Sequence, residues 1–169
     1  MALKTHDPDT AYMESVKAAH DFADRGNIVG FCNSMLRQGQ ALHALGDIAT
    51  ARLATRIALI FSQRCHLAWN RYSAHLLLGQ LAEAEHNLHQ ARRHYQAAMA
   101  TIERVQRRLS LTMRPEFLEN KADGFRAVMR LCLEARETAP AFETIERVKS
   151  PAFLSYLNSR NSLRWEADS

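Results

Sequence analysis

Apolar residues recur from Leu88 onward as Leu88, Ala91, Tyr95, Ala98, Ile102, Val105 and Leu109. The steps alternate between three and four residues, which places them on one face of an α-helix. A second stripe precedes it, made of Trp69, Tyr72, Leu76 and Gly79, and the run closes at Gln80-Leu81-Ala82. The polar pair His86-Asn87 separates the two. Helices joined by so short a break must fold back on each other. Gly79 on the first, with Ala91 and Ala98 on the second, lets the backbones approach closely.

The same arrangement stands forty residues earlier. Gly39 corresponds to Gly79, Leu42 to Ala82, Ala51 to Ala91 and Ala58 to Ala98, each at an offset of 40. A fixed period of this size marks stacked helical hairpins. In the first copy Gly46 suits a left-handed turn position and Asp47 can cap the next helix. In the second, His86-Asn87 replaces that turn and weakens the copy. The spacing predicts one pair over residues 28–45 and 47–64, with Ile48, Ala51, Ala58 and Phe61 facing inward, and another over 66–84 and 88–109.

The flanks are read the same way. Asp7-Pro8 suits an N-cap with proline in the first turn. Tyr12, Val16, Ala19 and Phe22 form one face, and Gly26-Asn27 ends that helix. Residues 1–27 are therefore expected to cap the stack, because an end helix keeps the first repeat from exposing its apolar side. After a break at Ser110–Pro115, Leu118, Ala122, Phe125, Met129 and Cys132 form another stripe. A break at Glu137-Thr138 precedes a helix carrying Ala141, Ile145 and Val148. Ala141 lies 50 residues after Ala91 rather than 40, so this third copy carries an insertion, and Met129 stands where the others have glycine. The expected layout is all-α: a helix over 1–27, about three hairpin repeats over 28–149, and a helical extension or linker over 150–169.

The glycine, the Gly-Asp turn and the two alanines together resemble the tetratricopeptide repeat, without its usual Trp and closing Pro. The long period resembles the extended repeats of kinesin-light-chain type. The resemblance implies antiparallel hairpins stacked as a right-handed superhelix. A narrower resemblance covers Leu131 to Leu157. Ala141-Phe142-Glu143, Glu146-Arg147, Lys149-Ser150 and the Leu-rich Phe153-Leu154, Tyr156-Leu157 are similar to the last repeat of bacterial proteins in which such repeats precede a CHAT domain, a caspase-like cysteine protease module. Pro151 departs from that pattern and is expected to kink or restart the helix. The family's catalytic His and Cys belong to the domain that follows, and the sequence stops at Ser169, so no protease activity is carried over. The resemblance implies the regulatory repeat portion of such a protease, cut from it or encoded separately, while the few cysteines, read as reduced thiols, put it in the cytoplasm.

Composition agrees with helix: six glycines and four prolines in 169 residues interrupt it rarely. No apolar run of about 18 residues suggests a membrane span, and MALKTHDPDT lacks the apolar core of a signal peptide. Cys32, Cys65 and Cys132 are odd in number and widely spaced, as reduced buried thiols would be. The net charge of +4 demands no anionic partner.

Chemistry is sparse. His86, His89 and His94, near Glu83 and Glu85, lack the converging geometry of a zinc site and any HExxH motif. Cys32, Cys132 and His43 lack nucleophile-and-base spacing. We therefore expect no catalytic residue, metal or cofactor. Arg92, Arg93, Arg104, Arg107, Arg108 and Arg114, opposed by Glu103, are the one basic segment that could meet phosphates, but no aromatics interleave with them. Nucleic-acid binding through it, or a free-standing adaptor role, is the alternative reading. The main expectation is a protein-interaction scaffold that holds a peptide or protein segment on its concave side. Its off-stripe polar residues are Asn33, Arg37, Gln40, Ser73, Gln80, Asp123, Arg126 and Arg130. Arg126 and Arg130, one turn apart, suit a carboxylate. Phe153, Leu154, Tyr156 and Leu157 are expected to dock on an adjacent CHAT domain, cap the stack or drive self-association.

Overall fold

The computed structural model describes residues 7–106 and 123–146. These residues are helix and turn, with no strand among them. The helices are α1 (Pro8–Asp24), α2 (Ile28–Ala44), α3 (Ile48–Arg64), α4 (Ala68–Ala84), α5 (Leu88–Gln106) and α6 (Asp123–Glu134), followed by α7 over residues 138–146. The chain divides into two compact units between Thr101 and Ile102.

Helices α1 to α4 each span 17 residues. Their starts, and that of α5, fall at 8, 28, 48, 68 and 88. What holds this 20-residue rhythm is one turn used repeatedly. Its middle residue is left-handed: Gly26 at φ 65°, Gly46 at 85°, His66 at 55° and His86 at 58°. In each turn that residue's N–H donates to the carbonyl three residues back, and the next N–H donates five back. Examples are Gly46 to His43 and Asp47 to Leu42, at 3.1 and 2.9 Å. These are the paired bonds of a Schellman motif. The residue closing one helix then caps the next: the Oδ1 atoms of Asn27, Asp47 and Asn87 accept from the N–H groups of Gly30, Thr50 and Gln90. Leu67 offers no such side-chain cap, and α4 starts at Ala68, on the 20-residue rhythm but two residues after the expected start at 66.

His86-Asn87 thus makes the same turn as Gly46-Asp47, with the difference that a side chain occupies left-handed backbone. A Cβ there is disfavoured. His86→Gly is expected to raise stability by about 0.5–1 kcal/mol, the relief of strain exceeding glycine's entropy cost. Urea melts of the two proteins test this, and a lower midpoint for the glycine variant would contradict it.

In the first unit, consecutive helices from α1 to α4 pack side by side, and α2 also touches α4. The period of 40 is visible in burial. Positions 30, 32, 34, 39, 41 and 42 of α2 are buried, as are 70, 72, 74, 79, 81 and 82 of α4. Ala51, Thr55 and Ala58 of α3 are buried, as are Ala91, Tyr95 and Ala98 of α5. These two glycines, Gly39 and Gly79, mark close helix approaches. A Cβ on Gly39 would meet Thr55 Oγ1 at 2.5 Å, and one on Gly79 would meet the Tyr95 ring at 2.4 Å.

Several faces are rotated from the expected ones. Val16, Phe61 and Trp69 are exposed. In α1 it is Ser15 that is buried, its hydroxyl donating to the Tyr12 carbonyl at 2.7 Å. Phe61 lies at the surface edge-on to Phe31, with ring centroids 5.2 Å apart. Cys32 is fully buried, while Cys65, in a turn, is only half-buried.

In the second unit, α6 and α7 are joined by the same turn, with Arg136 left-handed at φ 56° and Glu137 N–H donating to Cys132 O at 2.8 Å. The turn therefore precedes Thr138, which is already helical. Phe125, Val128, Leu131, Cys132 and Ala141 are buried, while Met129 and Ile145 are half-buried. The rhythm of 20 stops at α5, which continues helically through Gln106, where a left-handed residue would otherwise fall. Leu109, Leu118, Ala122, Val148 and the 150–169 extension lie outside the described residues.

Candidate functional site

The helix α1 differs from a simple end cap. It has the length and turn of its successors, and its alanines Ala11 and Ala18 stand 40 residues before Ala51 and Ala58. In these respects it matches α3, the second helix of the first hairpin. On the face that such a helix presents to a preceding first helix, Glu14 is exposed, Ala11 and Ala18 are half-buried and Ser15 is buried.

Along that face runs an open cavity of about 770 Å³ between α1 and α2. Its α1 wall is Pro8, Ala11, Glu14, Ser15, Ala18 and Phe22, and its α2 wall includes Asn33, Arg37 and Gln40. Small side chains make the hollow: Gly30, Ser34, Ala41 and Ala44 complete the second wall. Glu14 and Arg37 are exposed on opposite walls. Neither has an ionic partner among the described residues. Asn33 is tied to the next repeat, its Oδ1 accepting from Asn70 Nδ2 at 2.7 Å.

Three of the polar positions expected from sequence, Asn33, Arg37 and Gln40, therefore line one cavity. Ser73 is half-buried on α4 and Gln80 exposed, and neither lines it. Asp123, Arg126 and Arg130 belong to the second unit. There Arg126 Nη1 donates to Asp123 at 3.3 Å and Arg130 Nη1 to Glu134 at 3.2 Å, as exposed pairs within one helix. The two arginines thus already hold carboxylates one turn apart. Glu14 and Ser15 are not legible as site residues from the α1 stripe, which runs through Tyr12, Val16, Ala19 and Phe22. The signal that exposes them is the alanine pair repeated at offset 40 in a third helix.

The histidines separate. His86 and His89 are exposed, and Glu85 forms an ion pair with Arg52. His94 instead meets His75, their Nδ1 atoms 3.3 Å apart and ring centroids 5.6 Å apart. One ring donates and the other accepts, so at least the accepting ring is neutral. Burial, then His94, then Arg71 push the His75 pKa down to about 4. Burial, then Arg56, Arg93 and Arg52 lower that of His94. Of the basic segment, Arg93 and Arg104 are exposed and Arg92 half-buried, while Arg107, Arg108 and Arg114 lie outside the described residues. So do Phe153, Leu154, Tyr156 and Leu157.

Burial lifts the Cys32 thiol, with Cys65 adding to the effect, and the thiol lies 3.8 Å from the Ala58 carbonyl. A raised thiol is a poor nucleophile. No described helix is long and apolar enough to cross a membrane. No protein-family model matches the chain, and no curated protein matches it.

Proposed function

We propose that the chain is a tetratricopeptide-like interaction module that binds a protein segment in the α1–α2 cleft and carries no catalysis of its own. The observation behind this reading is the cleft itself: a 770 Å³ hollow between two helices whose walls carry one acid and one base. Burial of small side chains there gives apolar contact, while Glu14 and Arg37 set orientation. The wider role is regulatory, as the repeat half of a CHAT-type caspase-like protease, in a right-handed superhelical stack. That part rests on the resemblance of residues 131–157.

A photo-cross-linking residue at Arg37 or Gln40, compared with one at the exposed Gln96 on α5, tests the cleft. A discrete adduct from the two cleft positions and none from Gln96 is expected. Sequencing the adduct then says whether the partner is a caspase-like domain. Equal labelling from all three positions would remove the cleft as the binding site.

A further inference from the structure

The α1–α2 cleft can be compared with an interface inside the same protein. Shifted by 40, its α1 wall becomes Ile48, Ala51, Ala54, Thr55, Ala58 and Ser62. Five of these six are the buried residues of α3, and α2 packs on that helix. On the α2 wall, Gly30, Ser34, Arg37 and Ala41 become Asn70, Ala74, Leu77 and Leu81, all buried in α4. The cleft is thus the counterpart of the seat that α2 fills between α3 and α4.

Two positions are charged in the cleft and uncharged in the filled seat. Glu14 stands for Ala54 and Arg37 for Leu77. In the filled seat, Ala54 shares a buried cluster with Met35 and Leu36 of α2. Leu77 clusters with Leu42, and its Cδ2 comes within 3.1 Å of where a Cβ on Gly39 would be. Ser15 stands for Thr55, which faces Gly39.

We infer that the cleft receives an α-helix of another protein, seated as α2 is seated, with a defined order of charges. Its central residue, facing Ser15, is glycine or alanine. A basic residue four positions before it meets Glu14, and an acidic residue three positions after it meets Arg37. Glu14 and Arg37 stand where the filled seat has Ala54 and Leu77, so the charge order distinguishes this helix from α2. The inference rests on the cleft reading above and names the partner's chemistry.

The test is fluorescence anisotropy with labelled 17-residue peptides of the α2 sequence and the full chain. One peptide carries Met35→Lys and Leu42→Glu, the other Met35→Glu and Leu42→Lys. The first is expected to bind about tenfold more tightly, since like charges across an interface are repulsive. In a Glu14→Lys, Arg37→Glu chain the preference reverses. Both sites are exposed, so the variant retains the fold. Equal affinities, or an unreversed preference, overturn the charge order. Binding of neither peptide overturns the helix seat. If Arg37 still yields its cross-link in either case, the cleft reading survives, and if it does not, that reading falls too. Self-association of the chain abolished by Glu14→Lys would assign the seat to a second copy and overturn the proposal.

Discussion

Gly79→Ala is expected to lower the stability of the fold by about 2 kcal/mol, although alanine is the better helix former. A Cβ at this position would lie 2.4 Å from Cε1 and 2.6 Å from Cδ1 of Tyr95. That ring is 2% exposed and sits on α5, where Ala91 and Ala98 are completely buried on either side. A rigid aromatic ring without free volume can yield only if the helices separate. Overpacking of this kind costs about 1–3 kcal/mol. The contact is severe enough to place it at the upper end, and helix propensity returns about 1 kcal/mol. For a chain of this size the loss corresponds to a fall of about 4–8 °C in Tm. A double-mutant cycle isolates the cause: in a Tyr95→Ala background the same substitution should cost nothing. If Gly79→Ala is equally harmful there, the ring is not what it strikes.

The second large effect is acid destabilisation. The His75 pKa is about 4 in the folded protein against an ordinary 6.5, so the unfolded chain takes up the proton first as pH falls. Stability is therefore full above about pH 6.5 and is lost progressively toward pH 4. His94 is shifted the same way and adds to the slope. Its neighbours Arg52, Arg56 and Arg93, and Arg71 beside His75, are all cationic. Arg52 also engages the carboxylate of Glu85. Partial exposure of the rings screens the effect, leaving about 2 kcal/mol between pH 7 and pH 4. The first repeat supplies the control, because Met35 and Ala54 stand where His75 and His94 do in the second. A His75→Met, His94→Ala chain should lose most of this slope in urea melts between pH 7.5 and 4.5. An unchanged slope would place the acid sensitivity elsewhere.

The histidine pair also shows why part of the molecule was unreadable beforehand. His94 stood in sequence with His86 and His89, yet 19 residues of chain separate it from the ring it touches. Only the folding of α5 back onto α4 selects His75 over nearer histidines. Likewise Arg126 and Arg130 looked available for a ligand, but Asp123 and Glu134 fall within one helical turn of them and engage them locally. The cleft was half legible: Asn33, Arg37 and Gln40 were visible as polar positions off an apolar stripe. Their facing wall on α1 was not, since Glu14 and Ser15 lie off the stripe Tyr12, Val16, Ala19 and Phe22.

By itself the sequence determined the helices, their antiparallel hairpins and the period of 40. These follow from local facts: apolar spacing of three and four, glycine where a turn needs positive φ, and small residues where helices nearly touch. Tertiary structure decided the rest. His66 and His86 adopt the left-handed turn without glycine because paired backbone bonds and the packing of both flanking helices outweigh the cost of a Cβ there. Which residues of α1 and α2 face each other across the cleft depends on how neighbouring helices rotate as they pack. That rotation is set by contacts distant in sequence, such as Asn70 on Asn33 and Tyr95 on Gly79, and no local pattern encodes it.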